Sequence, residues 1–201
     1  MLIVTRFRII EGAAFVALAF AAAYAGDARS KPSHESGIVL TASEEKAVAG
    51  FETHVKNYMA LHRKLERSLP RLPKRATPEQ IDKKGQALGA LIKTARADAQ
   101  RGEFFTPEIQ ALLKRRLEAV LAGPDGKAVK ALIMEDNPGM PDLNVNDRYL
   151  DSIPLSTMPH RVLRTFPKLE EDLEYRFIGA RLALMDAEAR IIIDFTDNVL
   201  P

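Results

Sequence analysis

The sequence predicts an α+β fold in which an N-terminal helical bundle precedes a C-terminal three-stranded antiparallel β-meander. Amphipathic stretches between residues 41 and 136 have the three- and four-residue apolar spacing of helices. Prolines then interrupt residues 137–171, which predicts an extended, proline-rich connector. Runs of alternating apolar and polar residues within 172–196 are typical of strands. We therefore expect one domain over residues 41–201, with three longer helices, a short fourth helix, the connector and the meander.

The first helix is predicted to begin after Thr41, because Thr41 and Glu44 have the spacing of a capping box. Its inward positions alternate in steps of three and four along one stripe. They are Val48, Phe51, Val55, Tyr58, His62, Leu65 and Leu69. We expect the helix to end before Pro70, because the proline ring disfavours the α conformation of the residue before it.

The second and third helices are predicted to begin at two Thr-Pro-Glu sequences, at Thr77 and Thr106. Threonine is a good N-cap, and proline is tolerated at the first helical position. In the second helix, Gln80 completes a capping box with Thr77. The residues expected to be buried are Ile81, Leu88, Leu91, Ile92 and Ala95 in the second helix and Ile109, Leu112, Leu113, Leu117, Val120 and Leu121 in the third. Gly85 and Gly89 lie on one face of the second helix and would let another helix approach closely. A short helix is expected over 125–135.

The meander is predicted from three runs in which apolar residues alternate with polar ones. Strands are expected over 173–178, 181–186 and 190–195, with turns at 179–180 and 187–189 and a short helical turn near 160–165 before them. Tyr175 and Phe177 share a face, and Ile191, Ile193 and Phe195 alternate in the same way. This pattern predicts one apolar face, which the helices must cover because a small meander is not stable alone.

The first 25 residues predict a secretory signal peptide. Arg6 and Arg8 precede an apolar run from Gly12 that ends in the small-residue motif Ala23-Tyr24-Ala25. The run is 14 residues long, whereas a membrane-spanning helix needs about 20, so cleavage near Ala25 is favoured over a retained anchor. Residues 26–40 have no periodicity and are expected to form a flexible leader. These features predict a bacterial protein that is located in the periplasm or secreted.

The absence of cysteine excludes whole classes of chemistry. Because the sequence contains no cysteine, the chain has no disulfide, no thiolate nucleophile and no thiolate metal site.

The sequence also lacks the common catalytic and cofactor motifs. It contains no zinc-protease motif, glycine-rich phosphate loop, dinucleotide fingerprint or calcium loop, and no cofactor is predicted. Ser156 and His160 lack the elbow sequence of a hydrolase nucleophile, and Ser156 and Thr157 are interpreted as turn or cap residues ahead of a short helix.

Charge is distributed unequally along a nearly neutral chain. Residues 41–134 have a net charge of +7 and residues 135–201 a net charge of −6. The two halves could face each other and neutralise, or the helical half could present a basic face to an anionic partner. The densest basic stretch consists of Arg63, Lys64, Arg67, Arg71, Lys74 and Arg75. Nucleic acid is excluded as a partner, because the chain is predicted to be exported and its net charge is only +2.

A polar stripe on the first helix is the best candidate for site chemistry. His54, Tyr58, His62 and Glu66 follow one another in steps of four, which places neighbours about 6 Å apart on one face. His62 and Glu66 could supply half of a metal site, with the other half on a facing helix. The alternative, which we favour, is that Tyr58 and His62 lie at the edge of the core and hydrogen-bond to neighbours.

Four sequences along the chain carry a resemblance: Leu61-His62-Arg63-Lys64-Leu65-Glu66, Phe105-Thr106-Pro107-Glu108, Pro154-Leu155-Ser156-Thr157-Met158-Pro159 and Leu173-Glu174-Tyr175-Arg176-Phe177. Together they resemble a family of uncharacterised exported bacterial hypothetical proteins. The resemblance covers most of the chain after the signal and implies export and one continuous domain. It implies no catalytic residue, because no activity is assigned to that family.

Three functions are compatible with the sequence. The first is a non-catalytic exported protein that acts by binding or structural association in the cell envelope, with a protein partner or an envelope component. The second is a binder of anionic envelope material through the basic stretch. The third is a metal protein or an enzyme that uses the polar stripe on the first helix.

Overall fold

The computed structural model describes residues 40–135, 137, 139, 142–149 and 156–200. The predicted signal peptide and the predicted leader up to residue 39 lie outside the described residues, as do parts of the connector between 136 and 155. Leu40, the last residue assigned to the leader, packs against the hydrophobic core. The ordered domain therefore includes at least this residue of the leader.

The α+β prediction is confirmed: helices come first and a three-stranded antiparallel sheet follows at the C-terminal end. The helices are α1 (Ala42–Glu66), α2 (Pro78–Ala95), α3 (Pro107–Leu121), α4 (Gly126–Glu135) and α5 (His160–Leu163). The strands are β1 (Leu173–Ile178), β2 (Arg181–Asp186) and β3 (Ile191–Thr196), in the order β1-β2-β3.

The helix starts are those that the sequence predicts. Thr41 caps α1 and Thr77 caps α2, and in both cases a complete capping box satisfies the first free N–H groups. Thr106 caps α3 through its side chain. α1 ends before Pro70, as predicted: the last helical residue is Glu66, and residues 67–69 form a tighter turn. Leu69 still packs against the core from this turn.

Two predicted core positions on α2 are wrong. Ile81 is 51% exposed, and Ala95 is also exposed. The buried face of α2 includes the two glycines, and it packs against the β2–β3 turn from Gly85 onward. Met59, which lies beside the predicted stripe of α1, is fully buried.

The sheet is antiparallel with one irregularity. Leu184 of β2 pairs with Asp194, but the next residue pairs with Ile192, so Ile193 is an extra residue in β3. Such a β-bulge shifts the residues beyond it to the opposite face. Phe195 therefore lies in a different cluster from Ile193, and the prediction that the two share a face is wrong. β3 also begins one residue late, because Arg190 has φ 51° and belongs to the turn.

Both faces of the sheet are covered, although one apolar face was expected. One face packs on the helices, where Phe51, Phe105 and Tyr175 stack with ring centroids 6.3–6.5 Å apart. Residues 142–149 of the connector cover the other face, with Tyr149 at the centre of a second apolar cluster. The same segment exchanges backbone hydrogen bonds with the edge of β3. It therefore occupies much of an edge that would otherwise expose unpaired backbone groups.

Candidate functional site

The β2–β3 turn packs directly against α2, at the two glycines. A Cβ atom on Gly85 would lie 2.5 Å from the carbonyl oxygen of Glu188, and one on Gly89 would lie 3.0 Å from that of Ala189. Only glycine permits this approach without displacement of the backbone. The close approach predicted for this face is therefore present, but its partner is a hairpin turn and not a helix.

The turn is also attached to α1, through a fully buried carboxylate. Asp186 Oδ2 accepts a hydrogen bond of 2.7 Å from the Tyr58 hydroxyl and lies 2.7 Å from His62 Nδ1. Its other oxygen accepts the Ala189 N–H at 2.8 Å. Because a carboxylate only accepts, the proton between Asp186 and His62 belongs to Nδ1. The imidazole is therefore held in one orientation, with Nε2 pointing away from Asp186.

The pKa values of this pair follow from its burial and its charge. Burial disfavours the imidazolium of His62, but the hydrogen bond to Asp186 and the charges of Asp186, Asp172 and Glu188 outweigh it and raise the pKa above 6.5. Burial and the Asp186 charge raise the pKa of Tyr58 well above 10.0. The Tyr58 hydroxyl is therefore a donor at any ordinary pH.

A second layer of charged groups lies around His62 Nε2. This nitrogen is 3.3 Å from Glu188 Oε2. Lys84 of α2 donates to Glu66 at 2.6 Å and to Glu188 at 2.9 Å, so one ammonium bridges two carboxylates. Burial opposes the charge of Lys84, but these hydrogen bonds raise its pKa, and the same ammonium lowers the pKa of Glu66. We call His62, Glu66, Lys84 and Glu188 the polar cluster.

The polar cluster is chemically suited to a cation. One ligand atom each from His62, Glu66 and Glu188 can be chosen so that all three lie within 4.8 Å of one another. Imidazole nitrogen with carboxylate oxygen is a common donor set for divalent metals. The sequence correctly places His62 and Glu66 close to each other, but the expectation that a facing helix completes the set is wrong. The third donor is Glu188, in the β2–β3 turn.

The predicted polar stripe divides into two parts. His54 is half-buried and packs against Phe104, with the two ring centroids 5.8 Å apart. It lines a cavity of about 180 Å³ together with Tyr58, Arg96 and other residues. His54 is therefore separate from the polar cluster, whereas Tyr58 contacts the His62 ring, with the centroids 6.5 Å apart, and shares Asp186 with it. The interpretation of Tyr58 and His62 as hydrogen-bonded residues at the core edge agrees with these contacts.

Two further buried groups have structural roles that the sequence did not indicate. Asp194 accepts four backbone N–H groups, from Gly102, Phe104, Phe105 and Phe195, at 2.8–2.9 Å. This carboxylate holds the loop between α2 and α3 against β3. Arg96 donates to Asn146 and Glu103, both at 2.9 Å, and its guanidinium lies 5.3 Å from the Tyr58 ring centroid.

Ser156 has no catalytic partner among the described residues. Its hydroxyl is fully buried and donates to the carbonyl oxygen of Phe177 at 2.6 Å. His160 is exposed at the start of α5. Ser156 does not cap α5, whose N-cap is Pro159, so the interpretation of Ser156 as a cap is wrong and its hydroxyl attaches the connector to β1 instead.

The predicted basic stretch lies at the end of α1 and in the following segment, and its members differ in their contacts. Arg63 forms an ion pair with Glu170. The other five side chains are exposed and form no ion pair with any residue that the structure describes: Lys64, Arg67, Arg71, Lys74 and Arg75. We call these five residues the basic segment. Elsewhere, ion pairs such as Lys84–Glu188, Lys93–Asp147 and Arg101–Asp197 join the two oppositely charged halves of the chain.

Comparison with protein-family models, with curated proteins and with solved structures finds no match to this chain. Within the described residues, none of the helices combines the length and apolar character required to cross a bilayer. The basic segment and the polar cluster are the two features of the described structure that point to a function.

Proposed function

We propose that this chain is an exported, non-catalytic protein that binds anionic phospholipid surfaces of the cell envelope through the basic segment. The observation that carries the proposal is that five exposed basic side chains lie close together in sequence and form no ion pair with any residue that the structure describes. Among the described residues, nine arginines outside the segment form ion pairs with carboxylates: Arg63, Arg96, Arg101, Arg115, Arg148, Arg161, Arg176, Arg181 and Arg190. The basic segment has no such partner in the described part of the chain, so its charge is available to an external anion.

Export is supported by the basic, apolar and small-residue pattern of residues 6–25. This route would bring the protein to a bacterial envelope, in which anionic phospholipid is abundant. Clustered lysine and arginine side chains at a lipid surface are attracted by its negative potential.

The shape of the segment favours a lipid surface over a soluble polymer. Leu72 is 37% exposed and stands between the basic residues of the segment in sequence. Pro70 and Pro73 restrict the backbone on either side of it, so little conformational freedom remains to be lost on binding. Basic side chains next to an exposed leucine suit an interface that has both phosphate groups and acyl chains.

The expected affinity change follows from the charge. Each lysine or arginine near an anionic bilayer contributes about 1 kcal/mol at low ionic strength. Replacement of Arg67, Arg71 and Lys74 by alanine therefore removes about 3 kcal/mol, which corresponds to about a hundredfold weaker binding. The loss should be in affinity only, because these side chains form no ion pair with the described residues.

Co-sedimentation with vesicles tests the proposal. The full chain, purified after export, is mixed with vesicles of phosphatidylglycerol and phosphatidylethanolamine. The matched control replaces Lys46, Lys114 and Lys127, which are exposed, form no ion pair with described residues and lie outside the basic segment, on α1, α3 and α4. We expect the control to bind like the wild type and the triple variant of the basic segment to lose binding. Equal binding by both variants would refute the assignment to this segment.

A further inference from the structure

The Asp186–His62 contact orients the imidazole as in many metal sites. The Nδ1–H group is donated to a buried carboxylate at 2.7 Å, which leaves Nε2 as the nitrogen with a free lone pair in the neutral ring. Metal-binding histidines commonly donate their second N–H group to a carboxylate in this way. The Tyr58 hydroxyl donates to the same Asp186 oxygen and fixes this carboxylate in turn.

The groups that face Nε2 are two carboxylates held together by one cation. Glu188 is 3.3 Å from Nε2, and the Lys84 ammonium joins Glu188 to Glu66. Lys84 thus supplies the positive charge that two neighbouring carboxylates require. A divalent ion could supply this charge from the same place, with His62 as an additional ligand.

We propose that His62 Nε2 and the carboxylates of Glu66 and Glu188 bind a divalent transition metal ion of the zinc class, which displaces the Lys84 ammonium. This site is independent of the basic segment. It lies between α1, α2 and the β2–β3 turn, and its ligands come from α1 and the turn, so the bound ion would tie together two elements that are distant in sequence.

The distances fit such an ion. Two ligand atoms on one tetrahedral zinc, each at about 2.1 Å from the metal, lie about 3.4 Å apart. The observed separation between His62 Nε2 and Glu188 Oε2 is 3.3 Å. The Glu66 side chain is 36% exposed, so it can rotate to complete the set once Lys84 moves away. Three protein ligands leave a position for water, and one nitrogen with two oxygens favours zinc or its neighbours over calcium.

Isothermal titration calorimetry tests the site. The purified full chain is dialysed against a chelator, and zinc alone is then titrated into it. We expect one zinc ion per chain. Glu66→Gln and Glu188→Gln should each weaken binding at least about tenfold, because a neutral amide is a poor zinc ligand. The matched control is Glu170→Gln, which removes a half-buried carboxylate that pairs with Arg63 of α1.

Lys84→Met is the variant that separates a metal site from an ionic network with only a structural role. Methionine is similar to lysine in length and flexibility but has no charge. The substitution therefore removes the competing cation, and zinc should bind at least about tenfold more tightly. Thermal melts of each variant verify that it is folded. The proposal is overturned if zinc does not bind, if the two glutamine variants bind like the Glu170→Gln control, or if Lys84→Met does not bind more tightly.

Discussion

The contact between α2 and the β2–β3 turn leads to a prediction about a single methyl group. In Gly85→Ala, the new Cβ atom would lie 2.5 Å from the carbonyl oxygen of Glu188. Ordinary carbon–oxygen contacts are about 3.5 Å, so the turn would have to move by about 1 Å. This movement would strain the hydrogen bonds that Asp186 and Glu188 make with α1 and α2.

The size of the effect can be separated from helix propensity by a matched substitution. Gly50 lies in the interior of α1, and a Cβ atom there would have no neighbour within 4 Å. Gly50→Ala should therefore stabilise the protein by up to about 1 kcal/mol, which is the helix-propensity gain. Gly85→Ala has the same gain but also the cost of overpacking, about 1–3 kcal/mol. The free energies of unfolding of the two variants should differ by this cost alone.

Thermal melting measures the difference. For a chain of this size, 1 kcal/mol corresponds to about 2–4 °C in Tm, so Gly85→Ala should melt about 2–12 °C below Gly50→Ala. Gly89→Ala should lie between them, because its Cβ atom would lie 3.0 Å from the Ala189 carbonyl oxygen. If Gly85→Ala melts at the same temperature as Gly50→Ala, the turn does not pack closely against α2 and the polar cluster is not assembled as described.

Two other substitutions test buried and exposed carboxylates. In Asp194→Asn, one side-chain oxygen remains for the four backbone N–H groups, and two of these groups would face the NH₂ group of asparagine. We expect the free energy of unfolding in urea to fall by at least about 2 kcal/mol. An unchanged urea midpoint would contradict the role assigned to Asp194. Burial raises the pKa of Asp197, but hydrogen bonds from Arg101 and Arg181 outweigh it and hold the pKa below 3.8. Its stabilising contribution is therefore complete above pH 3.8 and is lost as the pH falls through the lower folded-state pKa. Because the Asp197 side chain is 36% exposed, Asp197→Asn should lower the free energy of unfolding by no more than about 1 kcal/mol at neutral pH. The variant should also lose less stability than the wild type as the pH falls. A difference in the free energy of unfolding that is the same at every pH would refute this.

The features that the sequence predicted correctly depend on local interactions. The capping box of Thr41 and Glu44 and that of Thr77 and Gln80 need only residues three apart, so their spacing is sufficient. The strand runs were similarly evident, because alternation is a property of neighbouring residues. A local pattern can identify an element, but it cannot identify what that element packs against.

The features that the sequence did not predict depend on contacts between distant segments. The bulge at Ile193 moves Phe195 to the other face, and it follows from pairing with β2 and not from the β3 sequence itself. The sequence around Glu188 is that of an ordinary turn, although its carboxylate lies 3.3 Å from His62 Nε2, which is distant in sequence. The sequence contains one indication of this contact. Acidic residues lie in a tight turn after an apolar strand, and two glycines lie on one face of α2. This combination is compatible with a turn that packs against the glycines.

The measurement that tests the proposed function most directly is a salt titration of vesicle binding by the wild-type protein. Between about 0.01 M and about 1 M salt, the Debye length falls from about 30 Å to about 3 Å, so attraction through exposed cations should be screened. We predict strong binding to phosphatidylglycerol-containing vesicles at low salt and almost none at high salt. Binding that does not change with salt, or that is equal on zwitterionic vesicles, would contradict the proposal that the basic segment binds an anionic lipid surface.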